Sequence, residues 1–173
     1  IATLGNDALD RMRGAGNGVW TRDEVIRTIR DHNGYDGISD DAKDFVPPTN
    51  WDAIKEKLNS RNAVVITGPS GTGKTTTAKA LVAGLKEEIP GIRHERVRGG
   101  PEQIRDDQDI GPVVYEIEDP WGKYRLDPQS KPWNDSINEI LASASSDKRF
   151  VITSRSDMML EAGLKTLDDR FAI

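Results

Sequence analysis

With 173 residues, a formal charge of −5 and no cysteine, the chain is long enough to bury a sizeable core and reads as one α/β domain. A disulfide framework and a thiolate metal site are excluded, and the acidic balance argues against bulk attraction to nucleic acid or an anionic membrane. No apolar run approaches a membrane span or a signal peptide, so the expectation is a cytoplasmic protein. The opening at Ile1 without methionine reads as a processed or excised piece.

Residues 1–44 read as a short helical and loop segment, a linker or the remnant of an upstream domain. Asn6 to Arg13 carries Leu9 and Met12 on one side, and Gly14-Ala15-Gly16-Asn17-Gly18 breaks it. Thr21 and Glu24 make a capping box for a helix with Val25, Ile26 and Ile29. Asp31 to Lys43 is polar and acidic, hence loop. Asp31-x-Asn33 imitates the start of a calcium loop, but Tyr35 holds the fifth position, the glycine is displaced to Gly37, and Ala42 stands where the closing glutamate belongs.

Residues 45–173 read as the main domain. Phe45-Val46-Pro47-Pro48 is a stiff entry, because proline fixes its own φ and restrains its predecessor. Asn50 is placed to cap a helix with Trp51, Ile54 and Leu58 on one face. Ala63-Val64-Val65-Ile66-Thr67 is a β-branched run suited to a buried strand. Then comes Gly68-Pro69-Ser70-Gly71-Thr72-Gly73-Lys74-Thr75, which reads G-x-x-x-x-G-K-T, followed by Thr76 and a helix to Glu88 with Ala78, Leu81, Val82 and Leu85 at helical spacing. Strand, glycine loop and helix are the context a phosphate-binding loop requires.

The residue types explain the chemistry. Glycines at 68, 71 and 73 let the backbone approach an anion, and the loop's N–H groups feed a helix N-terminus whose dipole favours negative charge. Lys74 is placed to reach the β- and γ-phosphates, and the Thr75 hydroxyl to bind Mg²⁺. Residues 68 to 76 are thus the expected nucleotide cradle.

Ile92 to Val97 is a second strand, with Arg93, His94, Arg96 and Arg98 gathered beside Glu95; such a cluster reads as a solvated edge before it reads as a nucleic-acid patch. Gly99-Gly100-Pro101 opens a short helix around Ile104. Val113 to Asp119 is an apolar strand ending in Glu118 and Asp119, stopped by Pro120-Trp121-Gly122. Trp133 to Ser143 is a helix with Trp133, Ile137, Ile140 and Leu141 inward. Phe150 to Ser154 is a fourth strand ending at Arg155, and Met158 to Leu167 reads as helical. The tryptophans read as packing, and His32 and His94 as ordinary polar residues without a ligand-spaced partner.

In open parallel sheets ligands sit at the carboxyl ends of strands, where the glycine loop, Glu118-Asp119 and Ser154-Arg155 all fall. A carboxylate ending a strand holds Mg²⁺ against the phosphates, a second orients the attacking water, and a guanidinium suits the γ-phosphate or the charge of the transition state. The candidate catalytic residues are therefore Lys74, Glu118, Asp119 and Arg155, and the candidate metal residues Thr75, Glu118 and Asp119.

Together, the loop Gly68–Thr75, the strand end Glu118-Asp119-Pro120-Trp121-Gly122 and the later Thr153-Ser154-Arg155 resemble the STAND class of P-loop NTPases, closest to the novel STAND NTPase 3 family. The likeness runs over about residues 45–165 and includes the Phe45-Val46-Pro47-Pro48 lead-in. It implies a three-layer α/β sandwich on a mostly parallel sheet, with the Thr153-Ser154 strand between the loop strand and the Glu118-Asp119 strand. It implies ATP as nucleotide and Mg²⁺ as cofactor, Glu118 and Asp119 at the metal and water positions, and Arg155 as a sensor arginine. It also implies a switch, slow in isolation, within a longer signalling or defence protein that self-associates. Glu118 stands where the family has Asp, so the metal and water roles are divided between Glu118 and Asp119 without a fixed assignment. Pro47-Pro48-Thr49 replaces a Gly-Arg-Glu lead-in of related domains, so their adenine contacts do not transfer. The chain ends about where a fifth strand begins.

Three other readings compete. Asp119-Pro120-Trp121-Gly122 satisfies the D-x-x-G of GTPases, but Ser154-Arg155-Ser156-Asp157 lacks the asparagine and lysine of a guanine reader. A small-molecule kinase needs a lid arginine, for which Arg125 is the candidate. A scaffold module that holds nucleotide without turnover is the third.

Overall fold

β-Branched and aromatic runs build the centre of the molecule. The computed structural model describes residues 45–173 apart from Asp109, Gln129, Lys165 and Thr166; the helix at Thr21, the calcium-loop imitation and His32 lie outside the described residues. Strands β1 (Ala63–Gly68), β2 (Arg93–Val97), β3 (Val113–Glu118) and β4 (Lys148–Arg155) form one sheet in the order β1-β4-β3-β2. All three pairings are parallel, and the expected placement of the Thr153-Ser154 strand between the loop strand and the Glu118 strand is borne out. Helices α1 (Trp51–Arg61), α2 (Lys74–Glu88), α3 (Glu102–Arg105), α4 (Ser130–Ala142) and α5 (Ser156–Glu161) complete the fold.

Successive strand residues point to opposite faces, and both faces are covered. Val64, Ile66, Val114 and Val151 pack with Ile54 and Leu58 of α1 and with Ala78, Leu81, Val82 and Leu85 of α2. Ala63, Val65, Tyr115, Ile117, Phe150 and Ile152 face the other layer, where α4 contributes Trp133, Ile137, Ile140 and Leu141, and α5 contributes Met158 and Met159. The result is a three-layer α/β sandwich. β4 is central, so Phe150, Val151 and Ile152 are fully buried, and full burial of such a side chain is worth about 1.5–3 kcal/mol.

Several boundaries differ from the sequence reading, each for a local reason. Asn50 occupies the cap position, yet its side chain makes no capping bond; only its carbonyl accepts, from the Ile54 N–H at 3.0 Å. α4 starts at Ser130 rather than Trp133, since Pro132 is tolerated in a first turn. α5 stops at Glu161 rather than Leu167, because Gly163 turns the chain at φ 74°. Asp119 is not the last residue of β3 but the first beyond it, at φ 47°.

The basic cluster lies on the edge strand β2 with Arg96 and the following Arg98 exposed, as a solvated edge has them, but Arg93 and His94 are drawn into ion pairs. His94 Nε2 lies 2.7 Å from Glu116 Oε2, and Arg96 Nε donates to the same oxygen at 3.1 Å. Arg93 donates to Glu95 at 2.9 Å and to Asp107 at 2.6 Å, and the Tyr115 hydroxyl donates to Asp107 at 2.5 Å. The Glu116 carboxyl is pushed up by burial, but His94 and Arg96 outweigh that and hold it below its ordinary range.

At the far edge of the sheet, residues 171–173 lie along β1. The Val65 N–H donates to the Phe171 carbonyl at 2.8 Å, the Ile173 N–H to Val65 at 2.9 Å, and the Thr67 N–H to Ile173 at 2.9 Å. Ala172 bridges Val65 in parallel, so the last residues already pair as a fifth strand does.

Candidate nucleotide site

The sheet register sets the site. Because β1 and β4 run in parallel with Gly68 opposite Arg155, and β3 and β4 with Glu118 opposite Thr153, three strand ends open at one rim. The glycine loop leaves β1 there and enters α2 at Lys74. Gly71 and Gly73 both take φ 80°, a conformation that disfavours any side chain. Gly73 is the residue before the helix, and no side chain caps it. The first N–H groups of this 15-residue helix are thus left for an anion at the positive end of the dipole.

Pro69, Ser70 and Thr72 form the exposed crest of the loop, and the Thr72 hydroxyl donates to the Pro69 carbonyl at 3.0 Å. Lys74 Nζ donates to that same carbonyl at 2.6 Å, so the ammonium folds across the loop it belongs to. Thr75 Oγ1 donates to Glu118 Oε1 at 3.0 Å, joining the loop to the end of β3 across 43 residues of sequence. Thr76 is exposed at the rim.

Asp119 follows in the left-handed region, which asparagine and aspartate tolerate better than most residues. Its N–H donates to the Thr153 carbonyl at 2.9 Å, and its own carbonyl accepts from the Gly122 N–H at 2.8 Å. Its buried Oδ1 has no hydrogen-bond partner. Burial and the neighbouring Glu118 push the Asp119 carboxyl up, against the opposing pull of Lys74, Lys123 and Arg155.

Trp121 anchors this turn. It is fully buried, and its indole N–H donates to Asn134 Oδ1 at 2.6 Å; the Asn134 amide in turn donates to the Ala162 carbonyl at 2.6 Å. The packing role read for this tryptophan is what the structure shows. Gly122, at φ 115°, has the Arg125 carbonyl where a Cβ would stand. The loop beyond it, from Gly122 to Pro128, lines a recess of about 320 Å³ with Tyr124 exposed at its tip.

Arg155 is committed to partners of its own. Its Nε and Nη2 donate to the two carboxylate oxygens of Asp157 at 3.0 and 2.5 Å, and Nη1 donates to the Lys123 carbonyl at 2.8 Å. Lys123 Nζ lies 3.6 Å from Glu118 Oε1. Every candidate residue therefore sits at this rim or one residue from it. Sequence reasoning missed Lys123, which has no motif spacing, and weighed Asp157 only as the acid of a guanine reader, although it stands in the first turn of α5 beside the arginine it holds.

The donor set suits a divalent cation that arrives with a nucleotide. Among the described residues no three His, Cys, Asp or Glu side chains group as a closed metal site. What is present is a hydroxyl touching one carboxylate, and beside it an orphaned carboxylate oxygen. Mg²⁺ is characteristically held by one or two carboxylates together with substrate phosphates.

A parallel sheet whose first strand feeds a glycine loop into an uncapped helix, with acids at a neighbouring strand end, defines a P-loop nucleotide-binding domain. The chain belongs to the novel STAND NTPase 3 family, whose profile matches residues 45–172. No curated protein matches it. Among solved structures it is similar to the Thermotoga maritima RuvB Holliday junction branch migration motor, at 16% identity and a TM-score of 0.39, over 70% of this chain and 44% of that one. It is also similar to C. elegans PCH-2, at 13% identity and a TM-score of 0.34, over 65% of this chain and 36% of that one. The chain thus spans less than half the length of either. No helix among the described residues is long and apolar enough to cross a membrane.

Proposed function

We propose that this NTPase-family domain binds Mg-ATP at the rim formed by β1, β3 and β4 and works as a slowly hydrolysing switch within a STAND-type signalling or defence protein, with further domains and self-association as its partners. The observation that carries the site is the Thr75–Glu118 hydrogen bond at 3.0 Å, which brings the phosphate loop and the strand-end acid together. In this reading residues Gly68 to Thr76 cradle the phosphates and Lys74 leaves the Pro69 carbonyl for the β- and γ-oxygens. Thr75 and Glu118 hold Mg²⁺, which when bound neutralises charge on those oxygens. Asp119, with an unpartnered buried oxygen and a carboxylate made more basic by burial and by Glu118, is the group to orient and deprotonate the attacking water. Arg155 reaches the γ-phosphate by exchanging its contact with the Lys123 carbonyl.

One feature favours ATP over GTP. Asp157, the only acid in the segment where a guanine reader belongs, has both carboxylate oxygens on Arg155. Calorimetry with ATP and GTP on the parent and on Lys74→Ala tests the reading. ATP is the expected ligand, and loss of the charge-assisted phosphate contact should weaken it about tenfold to a hundredfold. Equal affinity for ATP in parent and variant would remove the phosphate loop from the function.

A further inference from the structure

We propose that Lys123 is a built-in placeholder for the divalent cation: its ammonium neutralises Glu118 before metal arrives, and the metal must displace it. The inference rests on the reading of Thr75 and Glu118 as the metal-holding pair. Three observations carry it. The Lys123 ammonium and the Thr75 hydroxyl converge on the same oxygen, Glu118 Oε1, at 3.6 and 3.0 Å. The first distance is an ion pair and too long for a hydrogen bond, so the ammonium supplies charge without fixing the oxygen's lone pair.

The backbone at Lys123 is held from both sides. Gly122 is locked into the Asp119 turn by its N–H bond at 2.8 Å and by the lack of room for any side chain. The loop closes again where the Asp127 N–H donates to Trp121 at 3.1 Å. Before nucleotide binds, the Lys123 carbonyl is also held by Arg155 Nη1 at 2.8 Å, and the Gly122 and Asp127 contacts remain when Arg155 turns to phosphate. Only the flexible stem of Lys123 is free to swing, so the ammonium can leave Glu118 while the loop stays in place. The Tyr124 ring, 6.0 Å from the ammonium, offers a cation a resting face on the solvent side.

The charge count gives the device its consequence. Lys74, Lys123 and Arg155 all act on Asp119, which stands beside Glu118. Arg155 is matched by Asp157, and the two lysines balance Glu118 and Asp119, so no net negative charge is left to draw a bare divalent ion. With Lys123 on Glu118, the protein takes metal only with the nucleotide's own negative charge. The ammonium displaced by the metal is then free to meet phosphate oxygens.

The test is nucleotide affinity measured by calorimetry across a Mg²⁺ titration, with ATP as the probe, on parent, Lys123→Met, Glu118→Gln and the double variant. Methionine keeps most of the stem, and a thermal melt without nucleotide checks the fold. Removing an exposed competing cation should lower the Mg²⁺ concentration at half-effect by about two- to fivefold. The shift should shrink as salt is raised and vanish in the Glu118→Gln background. An unchanged or higher half-effect concentration in Lys123→Met, with Mg²⁺ dependence abolished by Glu118→Gln, overturns the placeholder role and leaves the metal pair standing. Mg²⁺ dependence that survives Glu118→Gln intact overturns the metal pair and the placeholder together.

Discussion

Asp119 concentrates the residue-scale physics of the site. A non-glycine residue at φ 47° carries backbone strain, and its buried Oδ1 lacks a partner. Its carboxyl is pushed up from the ordinary value of 3.8 by burial and by Glu118. An acid with a raised folded-state pKa costs nothing below its unfolded value and destabilises the fold as pH rises through the raised one. At neutral pH the ionised Asp119 therefore works against the empty domain. Asp119→Asn removes the charge and keeps a residue that tolerates the left-handed region. The expected outcome is a nucleotide-free melting temperature raised at pH 7 by about 2–4 °C, for ~1 kcal/mol, with the gain fading as pH falls to the ordinary carboxylate range. Thermal melts of parent and variant across pH measure it; a lowered melt at pH 7 would mean that the charge is satisfied in the fold. A cost in stability at this one position is what a functional site imposes.

Among the elements, β2 is a strand built on charge. Its five residues include three basic ones, and Val97 is its one apolar residue. Such a strand holds its place through cross-strand pairs, and Glu116 of β3 supplies them. His94 and Glu116 are 8% and 7% exposed at the side chain, so the pair is shielded from water and salt, while Arg96 at 41% remains at the surface. Glu116→Gln keeps the shape but removes the charge that both partners face, and the expected loss is about 1–3 kcal/mol of stability. The Glu116 carboxyl lies below its ordinary 4.5, so the parent's advantage is complete above that value. It is lost as pH falls through the depressed one. Denaturant unfolding at pH 7 and along a series of falling pH checks both parts: a difference that stays constant until the parent itself unfolds in acid would assign the loss to packing rather than charge.

For the molecule as a whole, the outer edge of β1 is the point of weakness. β1 carries the phosphate loop at its end, and its second side would be an open edge without residues 171–173. Phe171 is 6% exposed and packs into the cluster that includes Val65, Tyr115 and Phe150. Phe171→Ala should cost about 3–5 kcal/mol, as expected for truncating a buried phenylalanine. Because Thr67, the residue before Gly68, is held by Ile173 through both its N–H and its hydroxyl, the loss should also loosen the loop and weaken nucleotide affinity. Unfolding and calorimetry on the same variant decide the two effects. Full stability in the variant would show the terminal segment to be a loose appendage.

The parts readable from the chain alone are those written in local chemistry. G-x-x-x-x-G-K-T at 68–75 declares its own backbone, because positive φ at Gly71 and Gly73 and an uncapped helix start are consequences of residue type at fixed spacing. The runs at 63–67, 113–119 and 150–154 read as buried strands, the middle one a residue too long, because two covered faces leave no room for alternation. The family resemblance over these segments held as well, and with it the strand order and the meeting of three strand ends. What the tertiary structure alone decided are contacts between residues far apart in sequence or without periodic spacing. Glu116 turns a basic cluster into an ion-paired strand, Asn134 ties Trp121 to Ala162, Asp157 and the Lys123 carbonyl take Arg155, and Lys123 finds Glu118. A sequence states which side chains exist and, through periodicity, which face they take. It does not state the cross-strand register or the path of a loop. Those are set by the packing of all layers at once, and they determine which charge meets which.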